Sequence, residues 1–201
     1  MEAFADAVFA IALTLPVVEI EFPSGREPLT RELLDLWPSY LGYALASLVI
    51  GIYWVHHHFS GAICRTVGHW FNVATVLFLA AIGFIAFPIR VFAEHLEYEE
   101  ARATAGLALT ISLAATAVTW WLKWRAGRHW GHVDGRLAAA YVRQLNRRYT
   151  LGTILALGAA GLGFIHWQVG LGLVSIVTLF FLLPPPTPVY VEEAPIVEGE
   201  G

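Results

Sequence analysis

Two groups of residues that could carry chemistry lie inside long apolar runs of this sequence. Asp6 lies near the start of the first run, and His56, His57 and His58 lie at the end of the second. An ionisable side chain inside a membrane helix costs about 3 kcal/mol unless it is paired or hydrated, so Asp6 marks a functional or structural network. Asp6 also lies in the first turn and a half of its helix, where the partial positive charge of the helix N-terminus stabilises a carboxylate. This structural explanation of Asp6 has a weight comparable to the functional one.

The remaining polar residues indicate neither an enzyme nor a metal site. Adjacent histidines on a helix point about 100° apart, so the three histidines favour an interfacial cap or a polar network over a metal site. No serine–histidine–acid set, phosphate-binding loop or intramembrane carboxylate pair is present, and Cys64 is the only cysteine. The net charge of −4 does not suggest a nucleic-acid partner. We therefore expect no catalysis, no resident cofactor and no metal.

The composition indicates the element that must position these residues, a bundle of membrane helices. Of the 201 residues, 57% are apolar and 14% are charged, against about one quarter charged in soluble domains. The mean hydropathy is +0.61. We predict an all-α integral membrane protein, with six transmembrane helices in one bundle over 1–183 and membrane lipid around it. The Pro-rich acidic tail over 184–201 is predicted to be unstructured and cytoplasmic. The predicted spans are 3–18, 38–55, 70–89, 105–122 and two more within 151–183, divided at 166–168.

The distribution of basic residues predicts the orientation of the bundle. Segment 123–149 has seven Lys and Arg residues and one acidic residue, whereas the loops after spans one and three are acidic. By the positive-inside rule this basic segment is cytoplasmic, and counting spans places both termini there too. Leu137, Tyr141 and Leu145 recur at helical spacing, which fits a basic amphipathic helix on the membrane surface. A solvated loop that only fixes the topology fits equally well.

The first span has two distinguishable faces. Val8, Ile11, Leu15 and Val18 recur at intervals of three and four residues and form one bulky apolar face. A neighbouring face of small side chains allows another helix to approach closely; its members are Ala3, Ala7, Ala10 and Thr14. Around a symmetry axis the bulky face would form a hydrophobic constriction that gates by dewetting. Ordinary packing against lipid or a neighbouring helix is the alternative explanation of this periodicity.

The segment Phe-Ala-Asp-Ala-Val-Phe-Ala-Ile-Ala-Leu-Thr-Leu at 4–15 resembles the Phe-Ser-Asp motif and following helix of the transmembrane protein 175 family, the endolysosomal potassium channels and their prokaryotic relatives. The resemblance continues through 48–57 and from Phe71 and Asn72 to 87–88, and the second half is similar only in hydropathy. It implies a homotetramer in a prokaryotic plasma membrane, with a central pore lined by the first helix and K⁺ as the permeant ion.

The same resemblance implies roles for individual residues. The narrowest part of the pore would be formed by Ile11, Leu15 and Val18. Asp6 would belong to a polar network behind the cytoplasmic end of the pore, and the candidate partners are Trp54, His57 or His56, and Asn72.

This sequence departs from the family pattern at three places. The family's usual arginine would fall just before Met1, and Ala5 replaces the usual serine. Pro16 lies within the constriction, where it removes a helix hydrogen bond and favours a kink. A kink there is predicted to turn the freed carbonyl of Ala12 toward the pore, so Ala12, Pro16 and Thr14 are expected to support the pore wall.

The sequence therefore predicts a potassium-preferring cation channel with passive conduction. The first alternative is a proton-coupled secondary transporter that uses Asp6 and the histidines of span two. Against it, Asp6 lies at one end of its helix, whereas transporter sites usually lie near the midplane. The second alternative is a non-conducting membrane subunit.

Overall fold

The computed structural model describes residues 2–18, 20–21, 23–25 and 27–191, and this part of the chain forms helices joined by short connections. The helices are α1 (Glu2–Val18), α2 (Leu29–Asp35), α3 (Trp37–Ile63), α4 (His69–Glu94), α5 (Glu99–His129), α6 (Ala139–Gly163) and α7 (Trp167–Phe180). The all-α prediction is confirmed. Each predicted span overlaps one of the helices α1 and α3 to α7, and the short α2 lies in the loop after span one. That all six cross the membrane stays a prediction.

Among the described residues, three helices are long and apolar enough to cross a membrane: α3, α4 and α5. These helices extend beyond the predicted spans because hydropathy detects only their apolar part. The polar ends of α5 illustrate this. Glu99 and Glu100 occupy its first turn, and Arg128 and His129 occupy its last, an arrangement that complements the helix dipole.

The helices pack in chain order across the bundle. α1 packs against α3 and α4, α5 packs against α4, and α6 and α7 pack against α5 and each other. α1 therefore lies on one side of the protein, and the α6–α7 hairpin lies on the other.

A row of aromatic rings connects these two sides through the core. Neighbouring centroids are 6.1 Å apart for Phe9 and Phe78, 5.2 Å for Phe78 and Trp120, 5.4 Å for Trp120 and Tyr149, and 6.1 Å for Tyr149 and Phe181. These separations lie in the range of favourable aromatic pairs. The row fixes the rotation of α1 relative to the rest of the bundle.

The turn between α6 and α7 lies close to the predicted division of the long apolar run. α6 ends at Gly163 and α7 begins at Trp167. The backbones of the two helices lie in close contact. A Cβ atom added at Gly170 would lie 2.6 Å from the carbonyl oxygen of Ala159 and from Cα of Gly163. Small residues permit such close helix pairs in membranes.

The basic segment differs from both predicted alternatives. Its second half is the start of α6, and Leu137, Tyr141 and Leu145 are buried in the protein core. The helical spacing was correctly interpreted, but the apolar face packs on the protein and not on the membrane surface. The neighbouring Asp134 forms ion pairs with Arg136 at 3.0 Å and Arg65 at 3.4 Å.

Residues 184–191 also differ from the predicted unstructured tail. The amide of Ala138 donates to the carbonyl of Val189 at 2.8 Å, and the amide of Val191 donates to the carbonyl of Arg136 at 2.8 Å. The hydroxyl of Tyr141 donates to the carbonyl of Pro186 at 3.2 Å. These backbone partners hold the segment beside the start of α6. The rest of the predicted tail, 192–201, lies outside the described residues.

Candidate functional site at the first helix

The helix α1 has one face buried in the bundle. Ala5, Phe9, Ala12 and Pro16 recur at intervals of three and four residues and are buried. Phe9 is 1% exposed, and its ring lies 5.5 Å from the ring of His57 on α3. This face determines which side of α1 is left for contacts beyond the single chain.

The residues predicted to form the constriction lie on the uncovered side of α1. Ile11 is 56% exposed, Leu15 is 54% exposed and Val18 is 75% exposed. Val8, which the periodicity placed with them, is partly buried against the core. The bulky uncovered face therefore begins at Ile11. The small residues Ala3, Ala7, Ala10 and Thr14 are exposed beside it.

The three residues predicted to support the pore wall do not share a face. The exposed Thr14 hydroxyl lies 3.0 Å from the carbonyl oxygen of Ala10 and 3.1 Å from that of Ile11, and either can accept its proton. Ala12 and Pro16 lie on the buried face, and α1 continues past Pro16 to Val18. The predicted turn of the Ala12 carbonyl toward the pore stays a prediction.

The predicted polar network around Asp6 is smaller in the structure than the sequence suggested. Trp54 Nε1 donates to Asp6 Oδ1 at 3.2 Å, which joins α1 to α3. The Trp54 ring also stacks on His58, with centroids 5.9 Å apart, and Nδ1 of His58 lies 3.9 Å from a carboxylate oxygen of Glu2. Trp54 is thus the predicted partner that contacts Asp6.

The other predicted partners of Asp6 lie elsewhere. His56 Nε2 is 2.7 Å from the carbonyl oxygen of Phe181 at the end of α7. His57 Nδ1 is 3.1 Å from Nζ of Lys123 on α5. Asn72 Oδ1 is buried and has no hydrogen-bond partner in the described part of the chain. The two histidines face different neighbours because consecutive residues on a helix diverge by about 100°.

Sequence reasoning missed Lys123, which was interpreted as a flanking cation after span four. Lys123 is 3% exposed, donates to Ser60 Oγ at 2.7 Å and lies 4.8 Å from the centroid of the Trp120 ring. Among the described residues no carboxylate forms an ion pair with it. The available signal was its place between tryptophans at 120, 121 and 124, which extends the apolar pattern past Leu122.

A cavity of about 290 Å³ separates this lysine from the start of α1. Lys123, His57 and Ser60 line one side, and Glu2 lies on another. The N-terminal end of α1 is therefore surrounded by polar groups, whereas its C-terminal half is apolar on the uncovered side. This division fits a helix with a polar end and an apolar constriction.

Comparison with known proteins places this arrangement in a family. Residues 1–86 match the model of the endosomal/lysosomal potassium channel TMEM175 family. The chain is 33% identical to a potassium channel of Chamaesiphon minutus, over 91% of this chain and 92% of that channel. The chain belongs to the TMEM175 family. A potassium channel of Streptomyces collinus is 32% identical, over 93% of this chain and 94% of the relative.

The TMEM175 fold is shared as well. A crystal structure of a lysosomal potassium-selective channel TMEM175 homolog from Chamaesiphon minutus matches with a TM-score of 0.73 and 30% identity, over 90% of this chain and 94% of that one. The predicted family resemblance is confirmed. It also extends through α5, α6 and α7, where the sequence indicated only similar hydropathy. The protein is therefore a membrane protein of a potassium channel family, which is not a class of enzymes.

Proposed function

We propose that this chain forms a potassium-preferring cation channel, a homotetramer whose central pore is lined by α1. The observation that carries the proposal is the uncovered apolar face of α1 at Ile11, Leu15 and Val18. Lipid tails are as apolar as these side chains, so association in the membrane has to come from close packing of small residues between helices. A fourfold arrangement would bury the small face against neighbouring subunits and place the bulky face around the axis.

The proposed pore selects through its width and weak polarity. Rings of Ile11, Leu15 and Val18 side chains have no oxygen ligands to replace the hydration shell of an ion. A K⁺ ion holds its water less tightly than Na⁺ and sheds part of it more readily, so we expect a modest preference for K⁺. Conduction is passive, K⁺ is the permeant ion, and no cofactor takes part.

The proposed topology has six crossings of a prokaryotic plasma membrane, with both termini in the cytoplasm. It follows from the basic residues in the last turns of α5 and the first turns of α6. The polar end of α1, with Asp6 and Trp54, would then form the cytoplasmic mouth of the pore. Its apolar C-terminal half would lie deeper in the membrane.

The contacts of Asp6 favour a channel over a proton-coupled transporter. A relay needs a continuous chain of titratable groups. His56 and His57 instead contact the carbonyl of Phe181 and the ammonium of Lys123. The carboxylate of Asp6 is bound by the indole of Trp54, which does not titrate.

The test is ion flux through the purified full chain in liposomes loaded with K⁺. We expect K⁺ efflux without a proton gradient or ATP, weaker Na⁺ efflux, and a tetramer in detergent. Flux that requires a coupled ion gradient would support the transporter. A monomer without flux would support the non-conducting subunit, because a central pore requires several copies of α1.

A further inference from the structure

A groove of about 640 Å³ lies between α6 and α7, on the side of the protein away from α1. Its walls are mostly apolar side chains that the single chain leaves exposed. On α6 they are Leu151 and Leu155, and on α7 they are Ile176 and Phe180, with the partly buried Leu173 beside them. A groove of this size and polarity accommodates part of an alkyl chain.

One end of the groove is polar and basic. Gln144 lies two turns and Arg147 one turn before the apolar wall of α6, and both line this end and are exposed. Among the described residues, none forms an ion pair or a hydrogen bond with the Arg147 side chain. The guanidinium of Arg147 is therefore free to bind an anion.

The adjacent Arg148 has a different role. Its guanidinium donates to the carbonyls of Leu183 at 2.7 Å and Pro184 at 2.9 Å, and it lies 4.9 Å from the ring of Phe180. These contacts hold the end of α7 against α6. Arg148 thus shapes the basic end of the groove and leaves Arg147 to face outward.

The order of residues along α6 suits a phosphate at its basic end and an acyl chain beyond it. α6 has 25 residues, which is roughly 37 Å of helix, and the apolar part begins one turn after Arg147. Basic residues at this position lie near the lipid phosphates when α6 crosses the bilayer. The leaflet concerned is the one on the side of the basic segment.

We propose that this groove binds an anionic phospholipid, with its phosphate on Arg147 and Gln144 and one acyl chain between Leu155 and Ile176. The charge of an unpaired guanidinium next to an apolar groove between membrane helices favours a lipid with net negative charge over a zwitterionic one, whose headgroup cation offsets its phosphate. Arginine binds phosphate oxygens in a bidentate manner, which adds geometric specificity. The proposal does not depend on α1 lining the pore.

The first test measures retention of phosphatidylglycerol and phosphatidylcholine on the purified full chain by native mass spectrometry. We expect preferential retention of phosphatidylglycerol, weakened about fivefold by Arg147→Ala. The matched control is Arg128→Ala, which removes an exposed charge from the basic end of α5 outside the groove. Equal retention of both lipids, or an equal loss in the two variants, would overturn the proposal in favour of nonspecific attraction.

The second test concerns the apolar wall and the source of the phosphate. Leu155→Trp fills the groove from a position that is 49% exposed, so the fold should tolerate it, and phosphatidylglycerol retention should fall at least fivefold. Inorganic phosphate at the same concentration should not displace the lipid. Displacement by phosphate would reassign Arg147 to a free anion. Loss of the tetramer in Leu155→Trp, without lipid loss, would reassign the groove to a contact between subunits.

Discussion

Replacing Leu15 by alanine tests directly whether the uncovered face of α1 lines a conduction path. Leu15 is 54% exposed in the single chain, so about half of its burial energy comes from the protomer. Truncating a fully packed leucine costs at least about 2 kcal/mol, and the half-packed Leu15 should therefore cost the protomer about 1 kcal/mol. Removing outward-facing atoms leaves no internal cavity, so the fold and the tetramer should persist.

The effect on conduction should be larger than the effect on stability. Four shortened side chains at one level widen a ring that otherwise strips water from the ion. Desolvating an ion inside a protein costs several kcal/mol, and recovering about 1.4 kcal/mol of that barrier raises the flux tenfold. We expect about a tenfold rise in K⁺ conductance and a weaker preference over Na⁺, measured as current and reversal potential in planar bilayers.

The matched control is Leu157→Ala on α6, because Leu157 is 52% exposed and lies away from α1. It should leave conductance and selectivity unchanged. As a contrast within α1, Phe9→Ala removes a side chain that is 1% exposed and should destabilise the protomer by about 4 kcal/mol. An unchanged current in Leu15→Ala, or the same rise in Leu157→Ala, would refute the assignment of Leu15 to the pore.

Two further predictions concern stability. Gly170→Ala should lower the free energy of unfolding by about 2 kcal/mol, and with it the thermal midpoint, because the new Cβ meets backbone atoms of α6 at 2.6 Å. Gly172→Ala is the control, because nothing lies within 4 Å of its new Cβ. An equal loss in both variants would refute the close crossing. Hydrogen bonds from Arg136 hold the pKa of the Asp134 carboxyl below its usual value. Because this pKa is lower in the folded protein, ionised Asp134 stabilises the fold at pH values above its pKa in the unfolded chain, about 4. That stabilisation is lost as the pH falls through the pKa of the folded protein. Asp134→Asn should therefore lower the midpoint at neutral pH, and the difference from the unchanged protein should disappear in acid; a difference independent of pH would exclude the charge as the cause.

The sequence alone predicted the all-helical fold and the approximate position of the apolar helices along the chain, because hydropathy and charge are local properties. The division of the last apolar run shows this. A run of 33 residues is too long for one crossing, and the structure ends α6 at Gly163, near the predicted break at 166–168. The motif at 4–15 likewise indicated the family, because it combines the intramembrane carboxylate of Asp6 with the apolar helix sequence that follows it.

The tertiary structure decided what each polar residue contacts. The family resemblance assigned Asp6, His56 and His57 to one network, yet among the described residues it is Trp54 that donates a hydrogen bond to Asp6. Lys123 was assigned to a loop and is buried beside Ser60. Such contacts depend on how far each helix is rotated about its axis and how closely it approaches its neighbours. Packing of aromatic rings and small residues sets those quantities over the whole bundle, and no local stretch of sequence contains them.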